Sequence, residues 1–226
     1  MRKIISFFIV FVMFITIAKA ESFEVRNFTN FSSVYLFGNL SVRLVKSDST
    51  YAVIKGDSAA FSKVTTKINN EELIVKYNKI GSSKTITIVI FYKTINEIIG
   101  KAGVTIVANQ AMESQDLKIN LSNGSEADLE INTTNMKSRV NQGSILNIKG
   151  SVEQLELSST TGAVFNGKKL NVKNANLRVA TGGDITLTLS GDVEATAHTG
   201  GSISYFGTPK SISQSTSTGG EVTQKK

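Results

Sequence analysis

Residues 160–205 read TTGAVFNGKKLNVKNANLRVATGGDITLTLSGDVEATAHTGGSISY. A small polar residue, a glycine or glycine pair and a β-branched apolar residue come round three times in this stretch, around Gly162, Gly183 and Gly201. Working outward, the glycine mark recurs through the second half of the chain at Gly103, Gly124, Gly143, Gly162, Gly183, Gly201 and Gly220. The intervals are 21, 19, 19, 21, 18 and 19 residues. Self-similarity of this length means that one supersecondary unit is stacked on copies of itself.

Aligned on these glycines, the units show columns. Two places after the glycine stand Ile145, Val164, Ile185, Ile203 and Val222, with Glu126 as the exception. Two places before it stand Ser122, Asn141, Thr160, Thr181, Thr199 and Thr218, all small and polar. A second apolar cluster comes later in each unit, at Leu129/Ile131, Leu155/Leu157 and Leu177/Val179. Each unit therefore reads as two short strands joined by a glycine turn. About 20 residues at ~3.3 Å each give a path that closes into a narrow coil, and coils stack at ~4.8 Å. Sequential parallel strands joined by crossovers are overwhelmingly right-handed. The expected fold is all-β, a right-handed parallel β-helix, with glycine at the corner where a positive φ resists any Cβ. A sandwich of antiparallel hairpins is the alternative.

Residues 21–100 differ in composition. Short alternating runs such as Leu73-Ile74-Val75-Lys76-Tyr77 and Thr85-Ile86-Thr87-Ile88-Val89-Ile90 read as strands. Aromatic residues gather there, and after Gly100 only Phe165, Tyr205 and Phe206 remain. An atypical terminal unit that covers the open end of a solenoid fits this shift. The expected organisation is residues 1–20 as a signal peptide, 21–100 as an N-terminal β region or cap, and 101–226 as the repeat array, with 21–226 forming one continuous domain as the variant of that division.

The signal peptide is read from Arg2 and Lys3, the apolar run Ile4 to Ala18, and the small-x-small end Ala18-Lys19-Ala20. The apolar run is 15 residues long, short of the ~20 that span a bilayer, so no membrane-spanning segment is expected after cleavage. Removing Arg2, Lys3 and Lys19 leaves 22 basic against 18 acidic residues, a mild bias of about +4. No dense basic stripe with aromatic neighbours occurs, so no nucleic-acid partner is expected. The chain has no cysteine, which removes disulfides, thiolate metal sites and a lipobox anchor.

Catalytic candidates are sparse. His198, the one histidine, lies in Ala197-His198-Thr199-Gly200-Gly201, at a place that turn residues occupy, with no carboxylate beside it. Asp184 and Glu221 follow corner glycines two coils apart, ~10 Å along the stack from the ~4.8 Å spacing. That is the outer limit for an inverting glycosidase pair. No Asp-rich run offers the converging oxygens that calcium takes. No catalytic residue, metal or cofactor is expected. The polar column Ser122, Asn141, Thr160, Thr181, Thr199 and Thr218 is the candidate site. It reads either as a ladder that satisfies corner backbone groups, or as a hydroxyl-rich face for a carbohydrate or other polymer.

Several segments resemble one family. They are Phe28-Thr29-Asn30-Phe31-Ser32-Ser33-Val34, Asn70-Glu71-Glu72-Leu73-Ile74-Val75, Ile95-Asn96-Glu97-Ile98-Ile99-Gly100, the Thr-Gly-Gly units, and Gly201-Ser202-Ile203-Ser204-Tyr205-Phe206-Gly207-Thr208-Pro209. Together they resemble the head GIN domain family of auto-transporter adhesins found in Bacteroidetes. The resemblance spans roughly residues 23–224. It implies an exported β-helical envelope protein and transfers no catalytic residue. A self-translocating autotransporter carries a large C-terminal barrel, whereas here the last repeat runs into Gln224-Lys225-Lys226. The periplasm is the expected compartment, and the cell surface would need a separate route. The function expected is non-enzymatic binding of a polysaccharide, another cell-surface polymer or a protein partner. A self-assembling envelope protein and a polysaccharide-active enzyme are the alternatives.

Overall fold

The computed structural model describes residues 22–56, 58–78, 85–108 and 110–226, so the expected signal peptide lies outside the described residues. Strands come first as β1 (Ser22–Asn27), β2 (Ser33–Phe37), β3 (Leu40–Lys46) and β4 (Tyr51–Gly56). One helical turn, α1 (Ser58–Phe61), precedes β5 (Val64–Asn69), β6 (Glu72–Tyr77), β7 (Ile86–Tyr92), β8 (Glu97–Lys101) and β9 (Thr105–Ala108). Long strands follow as β10 (Met112–Ser122), β11 (Glu126–Asn141), β12 (Ile145–Thr160) and β13 (Val164–Ala180). The chain closes with β14 (Asp184–Leu189), β15 (Asp192–Ala197), β16 (Ser202–Gly207), β17 (Ser211–Thr216) and β18 (Glu221–Gln224). The protein is an all-β solenoid.

From β8 onward every pairing is parallel, each strand lying on its counterpart one coil later. Glu126 pairs with Ile145 and Asn141 with Thr160, a displacement of 19 residues held along the whole of β11 and β12. Nineteen is odd and side chains alternate with period two. Each coil must therefore break the alternation, or its inward side chains would face outward in the next. It does so at one place: Thr134-Asn135 and Glu153-Gln154 put two exposed residues in succession at a bend, whereas Val140 and Ser144, the inward residues on either side of the glycine turn, keep the alternation in phase. Because hydrogen bonding continues on both sides of the bend, β11 and β12 run unbroken from one glycine turn to the next. Later coils split there: β14 and β15 part at Ser190-Gly191, and β16 and β17 around Pro209, a residue with no N–H to give a ladder.

The turns decide the register. Two residues with positive φ sit side by side, Gln142 (+53°) with Gly143 (+68°) and Thr199 (+48°) with Gly200 (+69°). Ser144 N–H donates to Asn141 O at 3.2 Å and Gly201 N–H to His198 O at 2.9 Å. This is the type I′ turn, which needs φ > 0 at both central positions. In the doublets the left-handed glycine is the first, Gly182, Gly200 or Gly219, and not the Gly183, Gly201 and Gly220 that mark the period in the sequence. The second glycine takes the buried slot held by Ser125, Ser144 and Ala163 in earlier coils. A Cβ there would lie 2.1 Å from Ala197 O at Gly220 and 2.5 Å from Ser159 O at Gly183. The apolar column shifts accordingly. Leu146, Phe165, Ile185 and Ile203 form one inward row, all fully buried, with Val222 at its end. Ile145 and Val164 instead share the outward row of Asp184 and Ser202.

Strands β1 to β8 stack on the same core, in an order that departs from the chain order. β2 lies between β6 and β8, parallel to both, and β3 lies between β7 and β9. Beyond them β5 pairs antiparallel with β6, β4 with β7 and β1 with β4. One apolar cluster runs from Phe31 to Tyr205. Burying each such Leu, Ile or Phe side chain is worth ~1.5–3 kcal/mol. The last coil breaks the apolar pattern: Gln214 and Thr216 occupy the places of Ala195 and Ala197 and are exposed. A polar outer face at the terminal unit is what keeps a solenoid soluble.

Candidate functional site

The six residues of the polar column fall into two rows. Ser122, Asn141 and Thr160 end strands, and the neighbour of Thr160 in the next coil is Ala180, followed by His198 and Ser217. Thr181, Thr199 and Thr218 occupy the left-handed turn position beside the glycine, in one row with Asn123, Gln142 and Thr161. No side-chain hydrogen bond joins any of the six to another among the described residues. The corner is held by backbone instead. The N–H of Gly124, Gly143, Gly162, Gly182 and Gly200 each donates to the carbonyl of the next coil's turn residue at 3.0–3.1 Å. His198 Nδ1 meets Ser217 Oγ at 2.5 Å, one coil away. Asp184, Ser202 and Glu221 share one outward row in that order, so the two carboxylates stand two coils apart with a serine between. Among the described residues no cluster of three or more His, Asp or Glu side chains is placed to hold a metal ion.

A large concavity lies just past the bend. It is a groove of about 770 Å³ that crosses successive rungs of β10, β11, β12, β13, β15 and β17. The outer wall is the row Asp116, Asn135, Gln154, Asn174, Asp192 and Ser211. The inner wall is Lys118, Lys137, Glu156, Asn176, Glu194 and Ser213. Between them run Leu117, Met136, Leu155, Ala175, Val193 and Ile212, whose side chains turn into the core, so that the floor is strand backbone. Five steps at ~4.8 Å make the groove ~24 Å long, parallel to the solenoid axis.

Side-chain hydrogen bonds from rung to rung recur along both walls here. Asn135 Nδ2 donates to Asp116 Oδ1 at 2.8 Å, Asp192 N–H to Asn174 Oδ1 at 2.9 Å, and Ser211 Oγ to Asp192 Oδ1 at 2.7 Å. On the inner wall Asn176 Nδ2 donates to Glu194 Oε2 at 2.9 Å, and Lys137 Nζ meets Glu156 at 2.7 Å. The Lys137 hydrogen bond, with the charges of Lys137, Arg139 and Arg178, holds the Glu156 carboxyl below the usual carboxylate range. The inner wall thus carries both signs, with Lys137 paired to Glu156 and the Glu194 carboxylate held by an amide. The amide of Gln154, midway along the outer wall, makes no hydrogen bond within the described residues.

The readable signal for this groove is a second column of Asp, Asn and Gln at 19-residue spacing, away from the glycines. Asp116, Asn135 and Gln154 stand 19 residues apart, and Asn174, Asp192 and Ser211 continue the row. Glycine corners, which carry the conspicuous period, lie at both ends of β11 and β12, whereas the groove crosses the middle of each.

The family described as "Putative auto-transporter adhesin, head GIN domain" matches residues 30–209. Among solved structures, a putative adhesin of Bacteroides fragilis superposes with a TM-score of 0.78 at 18% identity, covering 92% of this chain and 96% of that one. A putative adhesin of Parabacteroides merdae gives 0.74 at 18% identity, with coverage of 92% and 97%. A putative lipid binding protein of Parabacteroides distasonis gives 0.74 at 14% identity, with coverage of 92% and 98%. At these identities the likeness is one of fold. No curated protein matches the chain. A match over residues 30–209, from β2 into the linker before β17, takes in nearly the whole stack, and the chain belongs to the head GIN domain family of putative auto-transporter adhesins.

Proposed function

We propose that this adhesin-type protein is exported through its N-terminal signal segment, works in the periplasm or at the cell surface, and holds a polymer in the axial groove without transforming it. The observation that carries the reading is the groove itself: two rows of outward polar and charged side chains that run together from rung to rung along the axis. A repeated side-chain pattern suits a ligand that repeats. The family supports an adhesive role over an enzymatic one. The sparse chemistry of the rest of the surface agrees, with His198 engaged by Ser217 and Asp184 separated from Glu221 by a coil.

The test is a pull-down of purified residues 21–226 on envelope polysaccharides and peptidoglycan, with a glycan array alongside. Retention by at least one polymer is expected, reduced at least tenfold by groove substitutions. Retention by none contradicts the reading.

A further inference from the structure

We infer that the groove takes an uncharged polysaccharide chain lying along the solenoid axis; this deepens the polymer-holding reading above and rests on it. The backbone comes first. The strands under the central rungs are paired on both sides, β11 between β10 and β12 and β12 between β11 and β13. No free N–H or C=O row is left for a peptide to join as an added strand, the usual way a sheet captures an extended chain. Whatever lies there is met by side chains alone.

The side chains then select the chemistry. Asp116, Asn135, Gln154, Asn174, Asp192 and Ser211 offer carboxylate, amide and hydroxyl groups at successive rungs. Amides and hydroxyls both donate and accept, as sugar hydroxyls do. Gln154 is free to turn to a ligand, and its neighbours are held by their ladder bonds. Single-stranded nucleic acid takes aromatic stacking platforms and a basic track, and no aromatic residue lines this groove. A polyanion of any kind takes a dense positive stripe, whereas Lys137 is already matched by Glu156 at 2.7 Å. Similar rungs repeated over ~24 Å favour an extended chain of several sugars over a single small molecule.

Isothermal titration calorimetry of residues 21–226 with cellohexaose, chitohexaose and maltohexaose, set against oligogalacturonate, tests this. At least one neutral hexasaccharide is expected to bind at least tenfold tighter than its trisaccharide and than oligogalacturonate. Gln154→Ala combined with Ser213→Ala, both exposed on the groove walls and neither in a side-chain hydrogen bond among the described residues, is expected to weaken that binding at least tenfold with an unchanged melting temperature. Lys149→Ala with Lys169→Ala, on the other half of the coil, is expected to leave it unchanged. Preference for oligogalacturonate overturns the inference, as does undiminished binding by the groove variant. Retention on an envelope polymer with none of the neutral hexasaccharides bound overturns it too, and leaves the polymer-holding reading standing. Failure of every polymer, soluble or insoluble, overturns both.

Discussion

Four threonines stand where the backbone least favours them. Thr161, Thr181, Thr199 and Thr218 have φ of +55°, +53°, +48° and +51°, a region in which a β-branched residue is an outlier. Asparagine tolerates that conformation and is the preferred first residue of a type I′ turn. Thr181→Asn is therefore expected to stabilise the fold by ~0.5–1 kcal/mol, since a left-handed residue bearing a Cβ costs ~1–2 kcal/mol. Equilibrium denaturation in urea measures it, and a variant of lower stability contradicts the account of the corner. The glycine doublets show why this corner was only partly legible. Two adjacent glycines serve two different needs, Gly219 a positive φ and Gly220 the space beside Ala197 O. Composition alone does not say which is which.

At the scale of the coil, the decisive quantity is the odd number 19. A whole coil can be removed without moving any inward side chain outward, but a single residue cannot. Deleting residues 142–160 joins Asn141 to Thr161 and lets β13 lie directly on β11. That variant is expected to fold and to melt cooperatively, as neighbour-only contacts in a solenoid imply. Deleting Asp128 alone, in mid-strand, turns Leu129 and Ile131 away from the core, and is expected to cost more stability than the loss of the full coil. Circular dichroism melts of the two deletions compare them directly; the reverse order contradicts the parity argument. The parallel stack was legible because the corner glycines recur along the chain. The groove was less so, because its row of Asp, Asn and Gln is outward and varied. Such rows emerge only once the register is known.

Across the whole molecule, one core extends through both compositionally distinct parts of the chain. The order of strands β1 to β8 was hidden from the sequence for a physical reason. β2 and β3 are inserted between coils formed later in the chain, and pairing at such long sequence separation leaves no local period to read. The two ends are finished differently. Edge strand β1 shows Phe23 and Val25 at 68% and 49% exposure, and the far end shows Gln214 and Thr216. Polar inward positions at an open edge discourage further stacking. The middle of the stack is what the proposed function uses, because only there do like rungs follow one another in line.

That alignment is open to one direct measurement. The chain has no native cysteine, so a spin label at Asp116→Cys can be paired in turn with labels at Asn135, Gln154, Asn174, Asp192 and Ser211. Electron paramagnetic resonance distances are expected to grow in that order by ~4.8 Å per step, reaching ~24 Å between Asp116 and Ser211. Distances that rise and fall, as hairpins folding back on one another would give, contradict the stacked coil and with it the groove.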